Sequence, residues 1–539
     1  MSSRSFLFPV ILAFLAVPPV HTNGDTAKGE QIYQQRCQVC HQPGGMGVPG
    51  VFPPLAGSDF LTKERERSIK ALCEGMAGPI TVNGVVFNGQ MPAQALEDES
   101  VADVLNYVGT AWGNKLPPFT AQEIAKVRAK TKFPTVAKLF AAMEFAPLPE
   151  APAGYDLREV ARMPEGEFGV RMTTRGGRVW VLTQKGTVFL LDPKTAAMEP
   201  VLTALDYLDP ARSVQTMGLT SGPDGRLWLT SNQELKREGT FSLNEVCIWR
   251  TPPVGPDGRP GKPEAWFRTT YPHGGGFNHG VSHLAFGPDG LLYVSSGSRT
   301  DGGEKPPNHP DSPVGEVETT AAIWRFDPDA AEPKPEILAR GIRNPYGFAW
   351  DAGGNLFTVT NGPDANAPEE MDHIIPGRHY GFPYQFSDWP LVPKPYPHTP
   401  EVPTGFVFAM PVKNLGPDGG AGLSTFDAHS SPAGTIWCGE DFPEPLRNAF
   451  LVTRYGNLLA ESKTALADSG FDVLAMKLTR TADGSWTAKT TRILAPLGRP
   501  IDAIQTGPGT VWILDYTRPT NMRDGVGWMP GRIIELKKK

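Results

Sequence analysis

A short phrase recurs along most of this 539-residue chain and restricts the folds that it can adopt. Each copy is a turn of Gly, Pro, Asp or Asn followed by alternating apolar and aromatic residues, as in Gly287-Pro-Asp-Gly-Leu-Leu-Tyr-Val-Ser. Alternation with a period of two is typical of a β-strand. The copies begin at Gly176, Gly222, Gly287, Asp351, Leu446 and Gly507.

Strands that recur at these blade-like intervals indicate a β-propeller, and six copies predict six blades over residues 155–539. The last strand, Arg532 to Leu536, is expected to close the ring by pairing with Leu157 to Arg162. The alternative is a β-sandwich in which the turns recur by coincidence. Composition supports many turns between short strands, because the chain contains 59 Gly and 55 Pro together with 27 Phe and 12 Trp.

The N-terminal sequence has the features of an export signal. An apolar run from Phe6 to Val17 is too short to span a bilayer and predicts a signal peptide over residues 1–24, cleaved between Ala16 and Asp25. An uncleaved interfacial anchor is the alternative. No other stretch reaches transmembrane length, so the mature chain is expected to be periplasmic with no membrane span. The net charge of −6 argues against a nucleic-acid partner.

Residues 25–115 are predicted to form a small all-α unit. Helices are expected over Asp25–Gln35, Thr62–Glu74 and Ser100–Trp112, the third with its apolar residues on one 3.6-period face. Residues 116–154 are expected to be a linker, since a polar helix-like run is followed there by a stiff Pro- and Ala-rich tract. The predicted chain is therefore multidomain, with a small helical domain before an all-β six-bladed propeller.

The run Cys37-Gln-Val-Cys40-His41 is the C-x-x-C-H pattern of c-type haem attachment. Two thiols one helical turn apart can add to the two haem vinyl groups, and the adjacent histidine can then ligate the iron. Zinc binding or redox use of the cysteines is the alternative. Met91, in Asn-Gly-Gln-Met-Pro, is predicted as the sixth iron ligand, which predicts an electron carrier with no open iron position. Its rivals are Met46 and Met76.

Together with Asp103-Val-Leu-Asn-Tyr-Val near the end of the segment, these motifs resemble class I cytochrome c. The resemblance covers about 90 residues and implies one covalently bound haem c. Cys73 is expected to be a buried apolar thiol. Cys247 and Cys438 lie in the propeller sequence, which does not decide whether they pair.

The densest polar sequence of the propeller region begins at Gly341-Ile-Arg-Asn and ends near Tyr380. Taken alone, Arg343 fits a structural turn and Glu370 fits a solvated face. With Phe-Asn-His279-Gly-Val-Ser-His upstream, however, these residues resemble the soluble quinoprotein sugar dehydrogenases, which include glucose, sorbosone and pyranose dehydrogenases. The resemblance spans most of residues 160–539 and is strongest from 279 to 383.

The resemblance implies that pyrroloquinoline quinone (PQQ) and calcium bind at one mouth of the propeller. Arg343 and Asn344 would grip the quinone, for which a guanidinium suits the carboxylate and carbonyl acceptors. The further PQQ contacts that it implies are Arg499, Arg454 and Gln215. Backbone carbonyls of Gly362 and Pro363 would bind the calcium beside PQQ, and a second, structural calcium falls at Glu370 and Tyr380.

His279 matches the family's general base, which takes the proton from the sugar hydroxyl while hydride passes to the quinone. His283 is its rival. The family's acidic partner of this histidine falls at Ser298, so what orients His279 stays open, with Asp301 as the nearest acid. The Pro-rich segment Gly303–Glu318 is expected to be a loop near the mouth that influences substrate choice.

These motifs together predict a quinohaemoprotein dehydrogenase. PQQ would take two electrons from a sugar or related aldehyde, and the fused haem would relay them to an external acceptor such as another cytochrome. The alternatives are a calcium-dependent lactonase-like hydrolase and a non-catalytic propeller that docks the cytochrome to a partner. The particular sugar, the acceptor and the oligomeric state are not determined by the sequence.

Overall fold

The computed structural model describes residues 26–47, 52–91, 94, 96–130, 148–164, 166–212, 214–238, 241–274, 279–303, 316–363, 367–387, 401–420, 425–456, 470–517 and 530–539. The expected signal peptide, residues 1–24, lies outside these ranges. The chain divides into two compact units, Met1–Met143 and Glu144–Lys539. None of the helices in the described ranges has both the length and the apolar character that a membrane crossing requires.

The first unit consists of short helices around one apolar core. The helices are α1 (Thr26–Ile32), α2 (Gln38–His41), α3 (Asp59–Lys63), α4 (Arg65–Glu74), α5 (Asp98–Thr110) and α6 (Ala121–Arg128). A π-helical turn, Tyr33–Cys37, joins α1 to α2. An antiparallel hairpin of β1 (Met76–Val82) and β2 (Val85–Met91) precedes α5. The three expected helices are present, with ends that differ by a few residues.

Helix α6 belongs to the first unit, although the sequence placed it in the linker. Phe119, Ile124 and Val127 are buried in the same core as residues of α4 and α5. The Arg65 guanidinium lies 3.6 Å from the centre of the Phe119 ring, and Thr120 accepts a hydrogen bond from the Glu123 amide as the N-cap of α6. The unit extends beyond the expected boundary at residue 115 because these apolar side chains pack against α5.

Helices α1 and α5 approach each other most closely at Gly29. A Cβ atom at this position would lie 2.0 Å from the carbonyl oxygen of Asp103, a distance that no side chain could occupy. The rings of Tyr33, Tyr107 and Trp112 pack together beside this crossing, with centroids 5.0 to 5.6 Å apart. The crossing therefore depends on a glycine and is covered by an aromatic cluster.

The second unit is a six-bladed β-propeller, which confirms the fold predicted from the repeated phrase. Its first strand along the chain is β3 (Tyr155–Arg162). Blade 1 contains β4 (Gly169–Arg175), β5 (Arg178–Thr183), β6 (Val188–Leu191) and β7 (Met198–Leu202). Blade 2 contains β8 (Val214–Ser221), β9 (Leu227–Glu238), β10 (Phe241–Arg250) and β11 (Glu264–Gly274). Blade 3 contains β12 (Val281–Phe286), β13 (Leu292–Ser296), β14 (Ala322–Phe326) and β15 (Glu336–Arg340).

The remaining blades vary in strand number within the described part of the chain. Blade 4 contains β16 (Pro345–Trp350), β17 (Leu356–Thr360) and β18 (Glu370–His373). Blade 5 contains β20 (Pro432–Cys438), β21 (Ala449–Arg454), β22 (Asp472–Arg480) and β23 (Trp486–Leu494), and β19 (Lys413–Pro417) pairs in parallel with β23 at its outer edge. Blade 6 contains β24 (Pro500–Gly507), β25 (Thr510–Thr517) and β26 (Pro530–Lys538), with β3 as its outer strand.

The two ends of the propeller sequence close the ring in blade 6. Strand β26 pairs with β3 in antiparallel register, with Arg532 opposite Arg162 and Leu536 opposite Leu157. This pairing confirms the predicted closure. The first strands β4, β8, β12, β16, β20 and β24 pack against their neighbours around the centre. Since the first two strands of a blade are antiparallel, each first strand starts, and each second strand ends, at the same mouth of the ring.

A buried ion pair on the axis joins the inner strands of several blades. Arg171 on β4 is 1% exposed and donates from Nη1 to Asp502 Oδ1 on β24 at 2.9 Å. Its other nitrogens donate to the carbonyls of Met217 at 3.1 Å and Tyr346 at 3.2 Å, on β8 and β16. Burial raises the pKa of Asp502, which the Arg171 charge opposes. One side chain thus links four of the six inner strands.

Candidate haem and propeller-mouth sites

The C-x-x-C-H run lies where the chain passes from the π-helical turn into α2. Cys37 is buried and Cys40 half-buried. His41 is 7% exposed, and its Nδ1 lies 3.0 Å from the carbonyl oxygen of Pro53. A carbonyl can only accept, so Nδ1 carries the proton and Nε2 carries the lone pair. Burial lowers the pKa of His41 and favours the neutral imidazole that binds metals. These residues fit a covalently attached haem.

The predicted sixth ligand, Met91, ends β2 and packs half-buried against the core of the first unit. Its rival Met76 starts β1 and faces Met91 across the hairpin. The other rival, Met46, is 67% exposed. A thioether that ligates a buried haem iron must point inward, so the structure favours the hairpin pair over Met46, and the choice of Met91 stays a prediction. Cys73 is 2% exposed in the core, as expected for an apolar thiol.

Most of the predicted PQQ and calcium residues lie at one mouth of the propeller. Residues 279–280, 343–344 and 499 precede the first strands of blades 3, 4 and 6, and Gln215 is the second residue of β8 in blade 2. Residues 298, 361–363 and 454 end or follow the second strands of blades 3, 4 and 5. Both kinds of position face the same mouth by the strand directions given above. The sequence could group them only by resemblance, because they are far apart along the chain.

Arg343 is the best-connected residue of this mouth. It is 3% exposed, and its Nε donates to the Asp301 carbonyl at 2.8 Å while the guanidinium pairs with the Asp301 carboxylate. Its Nη1 donates to the carbonyls of Asn361, at 3.1 Å, and Gly362. The Asp301 carboxylate, considered above as the acid beside His279, is thus engaged with Arg343. The neighbouring Asn344 is 6% exposed, and its carbonyl accepts from the Asn361 amide.

A small cavity opens beside Arg343. Its wall includes Asn361, Gly362, Pro363 and Glu370. The structure therefore brings together Arg343, both residues predicted for the first calcium and one predicted for the second. Segment 382–387 supplies the facing wall through Phe382, Gln385, Phe386 and Ser387.

Oxygen atoms beside this cavity fit a hard cation. The Oγ1 of Thr360 and the Oδ1 of Asn361 are buried and have no hydrogen-bond partner in the described part of the chain. A buried unpaired oxygen is costly, and a bound cation would satisfy it. Among the described residues, no group of three or more His, Cys, Asp or Glu side chains could hold a metal. A calcium here could use carbonyl, amide and hydroxyl oxygens together with the single carboxylate of Glu370 in the cavity wall.

The second predicted calcium site is less open in this structure. The Tyr380 hydroxyl donates to the His373 carbonyl at 2.6 Å and accepts from the Ile375 amide at 2.8 Å. Glu370 hydrogen-bonds to Asp372, which is 1% exposed and whose pKa burial raises to about 8. The Tyr380 hydroxyl is thus already committed, so Glu370 and Tyr380 remain a prediction for that site.

The remaining two arginines have different surroundings. Arg499 is 2% exposed, and its guanidinium lies 4.8 Å from the Tyr455 ring centre and 5.0 Å from that of Phe471. Arg454 is fully buried and pairs in bidentate fashion with Asp472, at 2.8 and 2.6 Å. As placed, Arg454 uses its guanidinium edge on Asp472, so a direct grip on the quinone requires that pair to open. The main-chain carbonyl oxygen of Gln215 lies 3.4 Å from the side-chain nitrogen Nδ2 of Asn232, which donates to it.

A buried acid lies between two of these arginines and was not found from the sequence. Glu369 accepts from the Ser430 hydroxyl at 2.9 Å and the Ser431 amide at 2.6 Å. Burial raises the pKa of Glu369 to about 8, although the charges of Arg343 and Arg454 oppose the shift. Sequence reasoning missed it because its partners come from the next blade.

His279 stands at the start of blade 3 with its Nδ1 3.0 Å from the Ser298 hydroxyl. His283, its rival, lies on the inner strand β12 with its ring 4.5 Å from that of Phe348, edge to face. Burial, with the Arg171 charge, places the pKa of His283 well below its usual range. His279 is thus at the mouth of the ring, and His283 lies further along the inner strand β12, away from that mouth.

Two polar residues missed from the sequence hold this mouth in place. Asn232, on β9, donates to the Val281 carbonyl at 3.0 Å and accepts from the Val281 amide at 2.8 Å, which ties blade 2 to the turn after His279. Glu316 accepts from the amides of Arg299 and Thr300, at 3.0 and 3.1 Å. It comes from the loop predicted to influence substrate choice, of which residues 304–315 lie outside the described ranges.

Comparison with known families agrees with this division of the chain. Residues 26–112 match the cytochrome c family, and residues 260–389 match the family described as Glucose / Sorbosone dehydrogenase. Cytochrome c-552 of Thermus thermophilus is 48% identical over 118 residues, which are 20% of this chain and 89% of that protein. The cytochrome c subunit of the quinone alcohol dehydrogenase of Gluconacetobacter polyoxogenes is 35% identical over 112 residues, 20% of this chain and 24% of that protein.

Solved structures similar to the chain include sugar dehydrogenases. The PQQ-bound aldose sugar dehydrogenase of Streptomyces coelicolor is 19% identical with a TM-score of 0.47, over 72% of this chain and 99% of that one. The PQQ domain of pyranose dehydrogenase from Coprinopsis cinerea is 14% identical with a TM-score of 0.45, over 72% of this chain and 98% of that one.

Proposed function

Since this chain belongs to the cytochrome c family through its first unit and matches the Glucose / Sorbosone dehydrogenase family in its propeller, we propose that it is a quinohaemoprotein dehydrogenase. Its substrate would be a sugar or related aldehyde, oxidised with PQQ and calcium. The fused haem would pass the electrons to an external acceptor such as another cytochrome. Export to the periplasm is part of the same proposal.

One observation carries the propeller half of the proposal. Arg343, which the resemblance assigns to the quinone, shares a cavity with Gly362 and Pro363, which it assigns to calcium. The buried oxygens of Thr360 and Asn361 beside these residues lack partners within the described ranges. A guanidinium next to unsatisfied oxygens suits an anionic, carbonyl-rich cofactor held beside a hard cation.

When bound, PQQ would supply a two-electron hydride acceptor, and calcium would polarise its reacting carbonyl. Arg499, which is nearly buried, offers positive charge to its carboxylates, and Arg343 would do so once its pair with Asp301 opens. His279 would take the proton from the substrate hydroxyl at Nε2, because its Nδ1 lies against the Ser298 hydroxyl. Segment 382–387, with two phenylalanines in the cavity wall, would help to exclude water.

In the first unit, haem supplies one-electron transfer at a potential set by its axial ligands. His41, oriented through Pro53, would provide one ligand and Met91 the other. This pair would leave the iron no site for substrate. The first unit is therefore suited to relay electrons and not to oxidise the substrate itself.

Two other functions remain to be distinguished by experiment. A lactonase-like hydrolase would need the calcium but neither PQQ nor the haem. A docking propeller would need neither calcium nor PQQ. Neither of these functions gives the buried Arg343 a role other than a structural one. The dehydrogenase is therefore preferred.

The test is substrate-dependent reduction of the protein's own haem. The full-length, haem-loaded, oxidised protein is mixed with PQQ, calcium and each member of a panel of sugars and aldehydes, and the reduced α-band is followed. We expect reduction only when substrate, PQQ and calcium are all present. His279→Gln should slow it by about 10²-fold or more, because a general base typically contributes 10²–10⁴ to the rate.

Two controls separate this result from unspecific reduction. Lys334→Gln changes an exposed side chain in the turn between β14 and β15, at the opposite face of the propeller, and should leave the rate unchanged. Direct reduction of the haem by dithionite should be equal in all variants, which shows that the first unit is intact. No PQQ binding, together with no reduction by any member of the panel, would show that the proposal is wrong.

A further inference from the structure

The surroundings of His279 answer a question that the sequence left open, namely what orients its ring. The Ser298 hydroxyl lies 3.0 Å from His279 Nδ1 and 2.7 Å from the carbonyl oxygen of Thr300. Ser298 is fully buried and Thr300 is 1% exposed. Three groups from a buried turn and the start of β12 thus form a short hydrogen-bonded chain.

The number of available protons fixes which atom donates in each of these two hydrogen bonds. A carbonyl oxygen can only accept, so the shorter contact uses the single proton of the Ser298 hydroxyl. The hydroxyl oxygen can then only accept from His279, which places a proton on Nδ1. Reversing the chain would remove the hydroxyl proton from the buried Thr300 carbonyl, and burial of an unsatisfied carbonyl is costly. The neutral ring therefore has its lone pair on Nε2.

The backbone holds the serine in place from several sides. The Ser298 amide donates to the Arg343 carbonyl at 2.7 Å, and the His279 amide donates to the Ser298 carbonyl at 3.3 Å. A Cβ atom at Gly297 would lie 2.2 Å from the His279 Cβ, so only glycine lets the histidine approach this closely. The hydroxyl is thus fixed relative to both His279 and Arg343.

We propose that Ser298 is a positioning residue that fixes the Nδ1–H tautomer of His279, so that Nε2 is the atom that accepts the substrate proton. The catalytic part of this inference rests on the dehydrogenase function proposed above, but the tautomer does not. Ser298 stands where the resemblance places an acid, so a neutral hydroxyl relay replaces a charged pair.

The two carboxylates around this turn have other principal partners. The Asp301 carboxylate pairs with Arg343, and Glu316 accepts from the amides of Arg299 and Thr300. Ser298 and Thr300 therefore present only dipoles to the ring. When His279 takes a proton, this neutral hydroxyl stabilises the new charge less than a carboxylate would.

The tautomer is tested by NMR on the full-length holoprotein labelled with ¹⁵N in its ten histidines, with the haem reduced. Correlations between ring nitrogens and carbon-bound protons show which nitrogen is protonated, and His279→Gln identifies the His279 signals. At about pH 8, where an ordinary histidine is neutral, we expect the Nδ1–H form. Wild-type protein with His279 in the Nε2–H form would overturn the proposal, whatever the enzyme's activity.

Two serine variants provide the comparison. Ser298→Ala should convert His279 to a mixture in which Nε2–H is populated. Ser296→Ala is the matched control, because Ser296 is also fully buried, two residues away, and its hydroxyl has no partner within the described ranges. That variant should retain the wild-type tautomer. If Ser298→Ala keeps the Nδ1–H form, the serine does not fix it and the proposal is wrong.

The catalytic consequence is tested with whichever sugar reduces the haem. Ser298→Ala should lower kcat by about 10- to 100-fold with little change in KM, since orientation of a general base affects the transition state. Ser298→Asp should restore a partner at Nδ1 and move the acidic limb of the pH–rate profile to higher pH. An unchanged kcat and pH profile in both variants would contradict the positioning role. If no sugar reduces the wild-type haem, the proposed function fails while the NMR result still stands.

Discussion

His41 and His279 each have one ring nitrogen engaged by a group that lies well away in sequence. Pro53 accepts from His41 Nδ1, and the Ser298 hydroxyl lies against His279 Nδ1. In both cases Nε2 is left with the lone pair. Under the proposed function it would face iron in one unit and a substrate proton in the other, so the same residue type would serve two chemistries.

The identity of the second haem ligand is testable at the level of one side chain. Met91→Ala should lower the haem reduction potential by on the order of 0.1 V or more, because axial ligands set haem potentials over a span of about 0.8 V. Spectroelectrochemical titration of the purified protein measures it. Met46→Ala, at a side chain that is 67% exposed, should leave the potential unchanged. The reverse pattern would assign the iron to Met46.

Residues of the sites were predictable where their chemistry is encoded locally. Cys37, Cys40 and His41 are adjacent, so their spacing alone indicated haem. Arg343 and Gly362 were predicted only through a family resemblance. Ser298 was located only as the position where the resemblance places an acid, and Asn232 and Glu369 could not be recognised as site residues because their hydrogen-bond partners come from other blades. Nothing in the sequence around a serine distinguishes one that hydrogen-bonds to a histidine from one that lies in an ordinary turn.

At the scale of elements, periodicity predicted where the helices and strands lie. It did not predict the residues at which they end or the unit to which each belongs. Helix α6 was visible as a helical run, yet its place in the first unit depends on Phe119 packing in that core. The predicted strand phrases all correspond to strands, because alternation of apolar residues is a local property. Blade 5 gained a parallel fifth strand, β19, that no repeated phrase indicated. Such an edge strand is set by what packs outside the blade.

The crossing of α1 and α5 gives an element-scale prediction. Gly29→Ala should destabilise the first unit by about 2–3 kcal/mol, because its Cβ would lie 2.0 Å from the Asp103 carbonyl and must push the helices apart. Thermal unfolding followed through the haem Soret band measures the loss. Lys28→Ala, on the exposed side of α1, is the control and should change stability by less than about 0.5 kcal/mol. Equal stability of the two variants would mean that the crossing can relax.

At the scale of the whole molecule, contacts near the axis of the propeller stabilise it in addition to the contacts between neighbouring blades. Arg171 connects inner strands of blades 1, 2, 4 and 6 through one carboxylate and two carbonyls. The six apolar interfaces between blades are each local to two neighbours. Arg171 couples blades on opposite sides of the ring, since it lies in blade 1 and donates to the Tyr346 carbonyl in blade 4.

Removing one partner of this axial ion pair should destabilise the propeller more than replacing both partners with apolar residues. Arg171→Met leaves Asp502 buried without its partner and should destabilise the propeller by about 3–5 kcal/mol. The double variant Arg171→Met, Asp502→Leu should recover much of that loss, since no buried charge remains. Chemical denaturation monitored by tryptophan fluorescence compares the two. A double variant as unstable as the single one would mean that the carbonyls of Met217 and Tyr346 dominate.

Pairing of β26 with β3 also sets an order of events during synthesis. The strand that completes blade 6 contains residues 530–538, at the end of the chain, whereas its partner, residues 155–162, is made long before. The outer strand β3 must wait, unpaired along this edge, until residues 530–538 have been made. The helical unit has no such dependence and can form as soon as its own residues emerge. A chain interrupted before residue 530 would therefore carry a folded helical unit attached to a ring that has not closed.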